Sequence, residues 1–285
     1  MDLSADCLAC MLNKTMTRLV QNQDAHTRTC MNEVLTFLSQ VPPGVSGPLA
    51  AQGMNEIVAR YYPEQIDYAA VKRRFNALLL SWKPDLERAV QSAPDPLVAA
   101  LRYALVGNYI DFGAMAQVDE QMFAQLVEQA SARPLDAQEL QRFREELGPG
   151  KTIAFLHDNC GEIVLDTLLI DQLRRLGCRV VSVVRGQAVI NDVTREDAEQ
   201  VGLTDFIDNG NGVAGTELSL LSEPCRQLLQ QSDCIISKGQ GNFETLSGCG
   251  LNIYYLFLCK CDYFTRRFGM ERLKGVFVNE RRLSF

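Results

Sequence analysis

The chain has 285 residues, of which 47% are apolar and 22% are charged, close to the averages of globular proteins. Such a composition excludes a disordered, collagen-like or coiled-coil protein. The formal net charge at pH 7 is −7, and neither half of the chain has the excess of Lys and Arg that would bind nucleic acid or an anionic membrane.

The sequence is typical of a protein of the reducing cytosol. No apolar run approaches the roughly 20 residues that a membrane-spanning helix needs. The acidic Asp2, and the lack of a basic segment before an apolar one, are untypical of a secretory signal peptide. Ten cysteines in a chain without such a signal favour free thiols over a disulfide scaffold. We therefore expect a cytoplasmic location.

The first half of the chain is predicted to be helical. From Leu3 to Leu147 the apolar residues recur every three or four positions, which is the spacing of one buried helix face. Prolines and glycines interrupt this pattern and mark the ends of helices. The predicted helices are Ala5–Val20, His26–Gln40, Pro48–Tyr62, Ala69–Ser92, Pro96–Val106, Glu120–Ala132 and Ala137–Leu147.

After Gly150 the pattern changes to short β-rich runs that alternate with helices. The predicted strands are Thr152–His157, Arg179–Val184, Asp205–Ile207, Cys234–Ser237, Leu251–Leu258 and Val276–Val278, and the predicted helices are Glu162–Leu176, Thr194–Val201 and Glu223–Gln231. Thr194 and Asp197, three residues apart, form a predicted capping pair at the start of the second of these helices. Strands separated by helices imply right-handed crossovers and a doubly wound, mostly parallel sheet. We expect an α/β protein with an all-helical domain over residues 1–148 and a Rossmann-like domain over residues 149–285.

Polar residues follow almost every predicted strand. The first strand leads into Asp158 and Asn159, the second into Arg185 and Asp192, and the fourth into Lys238. In an open α/β sheet, ligands bind at the carboxyl ends of the strands, near the point where the strand order reverses. We therefore expect the chemistry of this protein at that edge of the sheet.

Asp158, Asn159 and Asp192 are candidate ligands of a divalent cation. Carboxylate and amide oxygens suit Mg²⁺ or Mn²⁺, which keep coordination positions open for water and a substrate phosphate. A second interpretation makes Asp158 and Asn159 the cap of the following helix and Asp192 a turn residue. The residues alone favour the cap for the first two and leave Asp192 undecided.

Lys238 is a candidate anion-binding residue. It directly follows a buried strand, and Gly239 and Gly241 would let backbone N–H groups approach an anion. The order is neither a dinucleotide-binding fingerprint, which needs a third glycine, nor a P-loop, in which the lysine follows the glycines. Asn242 is predicted to line the same pocket. Arg185 is also placed to meet an anion, although we expect it at the surface.

The cysteines and the histidine near these strands have plainer interpretations. Cys7 and Cys10 form a CxxC pair on one face of a predicted helix. A structural zinc ion needs four ligands, and the chain has no second CxxC, so buried thiols or a redox pair are favoured even if Cys30 contributes. His157 is predicted to be a core histidine with satisfied hydrogen bonds. No GxSxG elbow of a serine hydrolase is present.

Four polar segments follow one another along the second half of the chain. They are Asp158-Asn159-x-Gly161-Glu162, Asn191-Asp192-Val193-Thr194, Lys238-Gly239-Gln240-Gly241-Asn242-Phe243-Glu244 and Lys260-Cys261. In this order they resemble the metal-dependent damage-control phosphatases, a family long recorded as a domain of unknown function. Two earlier segments resemble its prokaryotic, CxxC-bearing branch, namely Asp6-Cys7-Leu8-Ala9-Cys10 and Gly107-Asn108-Tyr109-Ile110-Asp111-Phe112-Gly113.

The resemblance implies a helical domain over a Rossmann-like catalytic domain that binds a divalent metal, with Mg, Mn, Co and Ni as candidates. The implied metal ligands are Asp158, Asn159 and Asp192, and the implied catalytic residues are Asp158, Asp192 and Lys238. Together with the residue pattern, it assigns substrate binding to Lys238, Gly239, Gly241, Asn242, Glu162 and Lys260. Cys160 stands where the family more often has Ala, which implies a thiol beside the metal.

The implied activity is metal-dependent hydrolysis of a phosphomonoester, in which the metal binds a phosphate oxygen and Lys238 offsets its charge. The expected partner is a small phosphorylated metabolite, such as a sugar phosphate. A second hypothesis is methyl transfer from S-adenosylmethionine, which uses the same sheet edge but does not require the carboxylate and amide ligands. A third is a non-catalytic metabolite-binding protein whose helical region is an interaction surface.

Overall fold

One six-stranded sheet organises the described part of the chain, which in this computed structural model comprises residues 1–20, 24–63, 68–111 and 119–283. The strands are β1 (Thr152–Leu156), β2 (Arg179–Val184), β3 (Phe206–Asp208), β4 (Cys234–Lys238), β5 (Ile253–Leu258) and β6 (Gly275–Asn279). Their order across the sheet is β3-β2-β1-β4-β5-β6. β1 to β5 are parallel, and β6 is an antiparallel edge strand.

The described residues form twelve α-helices. They are α1 (Ala5–Val20), α2 (Thr27–Ser39), α3 (Gly47–Tyr61), α4 (Tyr68–Ser92), α5 (Pro96–Gly107), α6 (Glu120–Glu128), α7 (Ala137–Glu145), α8 (Glu162–Arg175), α9 (Arg195–Gln200), α10 (Glu223–Gln231), α11 (Gln240–Leu246) and α12 (Asp262–Phe268). The prediction of a helical region followed by a doubly wound, mostly parallel sheet is therefore confirmed.

The sheet is covered on both faces, as parallel sheets normally are. Side chains alternate along β1, so that Ile153 and Phe155 join one apolar cluster while Ala154 and Leu156 join another. The first cluster contains residues of α4 to α9, and the second contains residues of α10 to α12. Because the strands are buried on both sides, they are continuous apolar runs in the sequence, and this made them recognisable.

The helical region reaches the sheet in two ways. Helices α4 and α5 pack on α8 within the first cluster. Helices α1 to α3 form a third apolar cluster. They lie next to α11 and α12, since Asp6 of α1 pairs with Arg266 of α12 (2.8 Å) and the Met1 ammonium donates to the carbonyl of Glu244 in α11 (2.7 Å). The division into two domains at residue 148 stays a prediction.

The sequence analysis missed two short helices and misjudged one boundary by four residues, while other boundaries differ by one or two. Helices α11 and α12 have seven residues each, too few for an apolar period to be visible. The predicted helix Glu120–Ala132 ends at Glu128 and is followed by a 3₁₀ turn over Ala130–Ala132. Among the helices of the described segments, none is both long and apolar enough to cross a membrane.

Candidate active site

The strand order reverses between β1 and β4, and the predicted site residues gather at the carboxyl ends of these and the adjoining strands. The segment after β1 carries Asp158 and Asn159, β2 leads into Arg185, β4 ends at Lys238, and β5 leads into Lys260. All five side chains are buried. This is the switch point at which doubly wound sheets bind their ligands.

A short antiparallel bridge brings Asp192 to the same place. Asn159 lies opposite Asp192 in this bridge. The Val193 N–H donates to the carbonyl of Asp158 (2.8 Å), and the Cys160 N–H donates to the carbonyl of Asn191 (2.8 Å). These bonds flank Asn159 and Asp192 and make them a non-hydrogen-bonded pair, in which the Cα atoms lie about 4.5 Å apart and both side chains leave from one face.

The loop that carries Asp192 is fixed from its other end by the start of α9. The predicted capping pair is present, since Asp197 accepts hydrogen bonds from the backbone N–H (2.8 Å) and the hydroxyl (2.9 Å) of Thr194. Lys72 of α4 pairs with Asp197 (2.6 Å) and donates to the Thr194 hydroxyl (3.0 Å). A helix of the first half thus holds the loop in position.

Each of the three predicted metal ligands uses only part of its hydrogen-bonding capacity. Asp158 Oδ2 accepts from the amides of Asn108 (3.1 Å) and Asn159 (2.6 Å). The Asn159 amide also donates to Glu162 (2.9 Å), and Asp192 Oδ2 accepts from Arg185 Nε (2.8 Å). No hydrogen bond within the described part of the chain uses the Oδ1 atom of Asp158, Asn159 or Asp192. Each ligand candidate therefore keeps one oxygen available.

Burial and like charge act together on these carboxyl groups. Burial raises the pKa of Asp158 well above its usual range, and the charges of Glu162 and Asp192 raise it further. Burial also raises the pKa of Asp192 to about 6, although Arg185 opposes the shift. A bound cation would offset this concentration of negative charge, and two carboxylate oxygens with one amide oxygen suit a hard divalent ion. No group of three His, Cys, Asp or Glu side chains among the described residues is arranged to hold a metal, but the predicted set includes an amide.

Lys238 does not present a free ammonium group to this site. Its Nζ donates to the carbonyl of Ala104 (2.8 Å), to Glu162 Oε1 (2.5 Å) and to Asp166 Oδ1 (2.7 Å). An ammonium group has three donors, so all of them are used. Burial lowers the pKa of Lys238, but the charges of Asp166 and Glu162 outweigh it and raise the pKa above its usual value. The predicted contact with a substrate phosphate would require one of these bonds to break.

A series of buried hydrogen bonds connects Lys238 through Asp166 to His157 and Ser182. Asp166 Oδ2 lies 2.9 Å from His157 Nδ1, and His157 Nε2 lies 3.1 Å from the Ser182 hydroxyl. The prediction of a core histidine with satisfied hydrogen bonds is confirmed. Asp166 was not considered from the sequence, although its position four residues after Glu162 in the buried first half of α8 places both carboxylates on one helix face.

Arg185 was expected at the surface, and that expectation is wrong. Its side chain is only 1% exposed, and its guanidinium lies among polar groups of four residues. It donates to Asp192 Oδ2 (2.8 Å), to Asn242 Oδ1 (3.2 Å) and to the Thr216 hydroxyl (3.5 Å), and it lies 3.9 Å from Asp158 Oδ1. A planar group with five donors holds such a set of acceptors in a fixed geometry.

Asn242 lies at this edge of the sheet, and its side chain is fully bonded. Its amide donates to the carbonyls of Lys238 (2.7 Å) and His157 (3.2 Å), so it ties the ends of β4 and β1 together. Its oxygen accepts from Arg185 and from the Thr216 hydroxyl (2.7 Å). These contacts make Asn242 a support for Arg185.

The two predicted glycines are needed for close approach. Gly239 has a φ of +80°, and a Cβ added there would lie 2.0 Å from Asp158 Oδ2. A Cβ at Gly241 would lie 2.1 Å from the carbonyl oxygen of Ala214. Gly239 thus allows the end of β4 to lie directly against the Asp158 carboxylate.

Asn108 and Asp111, which follow the end of α5, contribute two further side chains to the site. Asn108 donates to Asp158 and to both oxygens of Glu162 (3.1 and 3.2 Å), and its own oxygen accepts from the Leu258 N–H (3.0 Å). Asp111 pairs with Lys260 Nζ (2.6 Å). Both belong to the segment whose resemblance was noted, but the residue pattern alone gave no reason to place them here. Residues 112 and 113 of that segment lie outside the described residues.

The cysteines contribute little to the geometry of the site. Cys160 is fully buried, and burial raises the pKa of its thiol to about 12. Its sulfur accepts a weak hydrogen bond from the Asn191 amide (3.8 Å). Burial therefore favours the protonated thiol, and its position beside a metal stays a prediction. Cys7 and Cys10 are free thiols on α1, and their role stays a prediction.

Comparison with known proteins identifies the family. A model of the damage-control phosphatase ARMT1-like domain matches residues 3–274 of this chain. The chain belongs to this family. A damage-control phosphatase of Archaeoglobus fulgidus is 31% identical over 282 residues, which cover 95% of this chain and 96% of the relative. A damage-control phosphatase of Pyrococcus horikoshii is 31% identical over 184 residues, or 63% of each chain.

The structural comparison agrees with the sequence comparison. The crystal structure of a DUF89 family protein from Pyrococcus horikoshii superposes with a TM-score of 0.81 and 25% sequence identity. The match covers 98% of this chain and 99% of the other. The predicted family and fold are thereby confirmed.

Proposed function

We propose that this protein hydrolyses a phosphomonoester of a small metabolite with the help of a divalent metal ion. The observation that carries the proposal is the set of three oxygens that Asp158, Asn159 and Asp192 leave without hydrogen bonds to described residues. They belong to adjacent, buried side chains at the switch point of the sheet. The names of the family and of its relatives favour hydrolysis over the methyl transfer considered from the sequence.

Asp158, Asn159 and Asp192 would hold the metal through these oxygens. When bound, a divalent metal supplies Lewis-acid polarisation of a phosphoryl group and orients an attacking water. The surrounding residues fix the ligands before any substrate arrives. Arg185 and Asn108 bind the second oxygens of Asp192 and Asp158 and so fix the orientation of both carboxylates, and Arg185 also lies 3.9 Å from Asp158 Oδ1. Such support of metal ligands by outer hydrogen bonds is a general requirement of metal sites.

We assign different roles to the two lysines that the sequence predicts at the phosphate. Lys260 follows β5 on the same edge of the sheet, its side chain is fully buried, and its charge lowers the pKa of Asp158, which supports a position near the ligands. We therefore propose it as the phosphate-binding cation. Lys238 donates to Glu162 and holds it in place, and Glu162 in turn accepts from both the backbone N–H (3.3 Å) and the amide of Asn159. We propose Lys238 as a positioning residue.

The test is hydrolysis of p-nitrophenyl phosphate by metal-stripped protein, with Mg²⁺, Mn²⁺, Co²⁺ or Ni²⁺ restored in turn. We expect metal-dependent release that is lost in Asp158→Asn and Asp192→Asn. Asp85→Asn is the matched control, because Asp85 is an exposed residue of α4 with a single surface ion pair to Arg88. Release without metal, or no release from folded protein, contradicts the proposal. A screen of sugar phosphates and other phosphorylated metabolites would follow, and a cytoplasmic location stays a prediction.

A further inference from the structure

The ion pair of Lys260 with Asp111 stands out at the proposed phosphate site. The Lys260 side chain is fully buried, and its Nζ lies 2.6 Å from Asp111 Oδ2. The backbone N–H of Lys260 donates to the Gln240 side chain (3.2 Å), next to Gly239, so its position on the sheet edge is fixed. Asp111 is 15% exposed and follows α5, which is a separate element. The two charges of this ion pair thus come from separate segments, and only the anion reaches the surface.

Asp111 adds negative charge to a site that already has an excess. Its carboxylate lies 2.6 Å from Lys260 Nζ, and its charge raises the pKa of Asp158, of Asp192 and of Glu244. A phosphoryl group carries up to two negative charges and would be repelled by a carboxylate at this place. The Lys260 ammonium, which would attract the substrate, is paired with the Asp111 carboxylate, which would repel it.

We propose that Asp111 is an internal anion that the phosphoryl group of the substrate replaces at Lys260. The inference rests on the proposed function, since it takes Lys260 as the phosphate-binding cation. In the empty site Asp111 pairs with a buried ammonium group that would otherwise be very unfavourable. On binding, a phosphoryl oxygen accepts from Lys260 Nζ and the Asp111 carboxylate turns toward water. Only an anion that gains further contacts in the site can displace Asp111, so weak monoanions are rejected.

The test is a comparison of inorganic phosphate binding by metal-loaded wild-type protein and Asp111→Asn, measured by calorimetry. Because the amide competes for Lys260 more weakly than a carboxylate, we expect phosphate to bind about tenfold more tightly to the variant. The KM of the best phosphoester should fall by a similar factor. A residue that only supports the fold would not increase affinity when it is replaced. Asp262→Asn, an exposed acidic residue near Lys260, is the matched control.

Lys260→Met, alone and combined with Asp111→Asn, tests whether Asp111 and phosphate compete for the same cation. Lys260→Met should weaken phosphate binding by at least about tenfold, and Asp111→Asn should have no further effect on that background, because the cation they share is gone. Asp111→Ser replaces Asp111→Asn if the latter does not fold. Unchanged or weaker phosphate binding by the Asp111 variants, or no phosphate binding at all, overturns the inference. Metal-dependent hydrolysis by wild-type protein tests the proposed function separately, so either failure is recognised by itself.

Discussion

Replacement of Gly239 by Ala is the most direct way to disturb Asp158 without changing its chemistry. The added Cβ would lie 2.0 Å from Asp158 Oδ2, whereas ordinary contacts of a Cβ begin at 3.4 Å, so the carboxylate must move by more than 1 Å. The positive φ of +80° adds about 1–2 kcal/mol of backbone strain. The shift would also break the hydrogen bonds from Asn108 and Asn159, at about 1 kcal/mol each or more. We expect a total loss of about 3–5 kcal/mol in the free energy of unfolding.

Activity should fall further than stability alone would require. A displacement of a site group by about 1 Å can reduce the rate about a hundredfold. Gly202→Ala is the matched control, because Gly202 has the same φ of +80° and no described atom lies within 4 Å of its added Cβ. Urea denaturation and p-nitrophenyl phosphate hydrolysis would compare the two variants. The control should lose about 1–2 kcal/mol and keep its activity. Equal losses of stability and of activity in both variants would refute the assigned contact between Gly239 and Asp158.

Three further predictions follow from the buried charges. Arg185→Lys cannot reach Asp192 and Asn242 together, so kcat/KM should fall at least about tenfold, and each buried hydrogen bond lost should cost about 1 kcal/mol or more in urea denaturation. An unchanged rate contradicts this role. Lys238→Met leaves Glu162 and Asp166 buried without a cation, and the free energy of unfolding in urea should fall by about 3–5 kcal/mol. A variant as stable as the wild type would refute the network. Burial raises the pKa of Glu244 to about 7 from 4.5. Between these values the folded chain keeps a proton that the unfolded chain has lost, so the free energy of unfolding falls as the pH rises from about 4.5 to about 7. Glu244→Gln should remove that fall and gain up to about 3 kcal/mol above pH 7, and parallel pH profiles of stability would contradict the shift.

Much of the fold could be predicted because its signals are local. The strands β1, β2, β4 and β5 are short apolar runs, and the helices between them have an apolar period of three to four residues. The edge that carries the site followed from the rule for doubly wound sheets. The pairing of Thr194 with Asp197 was predicted from a spacing of three residues, which a single helix turn determines.

The features of the site that could not be predicted from the sequence depend on contacts between segments far apart in the chain. The partners of Lys238 come from α8 and from the carbonyl of Ala104 in α5, so the sequence could not show that its donors are used. Arg185 was expected at the surface because an arginine after a strand has no local signal of burial. Asn108 and Asp111 lie about 50 and 150 residues from their respective partners Asp158 and Lys260, and only the folded chain brings them to the site.

The central claim is that Asp158, Asn159 and Asp192 hold one divalent metal on which phosphoester hydrolysis depends. It is tested most directly by titrating Mn²⁺ into metal-stripped protein by calorimetry and measuring p-nitrophenyl phosphate hydrolysis at the same concentrations. We predict one ion per chain in the wild type and in Asp85→Asn, with binding and activity half-saturated together. In Asp158→Asn and Asp192→Asn both should be lost. Unchanged Mn²⁺ binding in these two variants, or full activity before any metal is added, would contradict the claim.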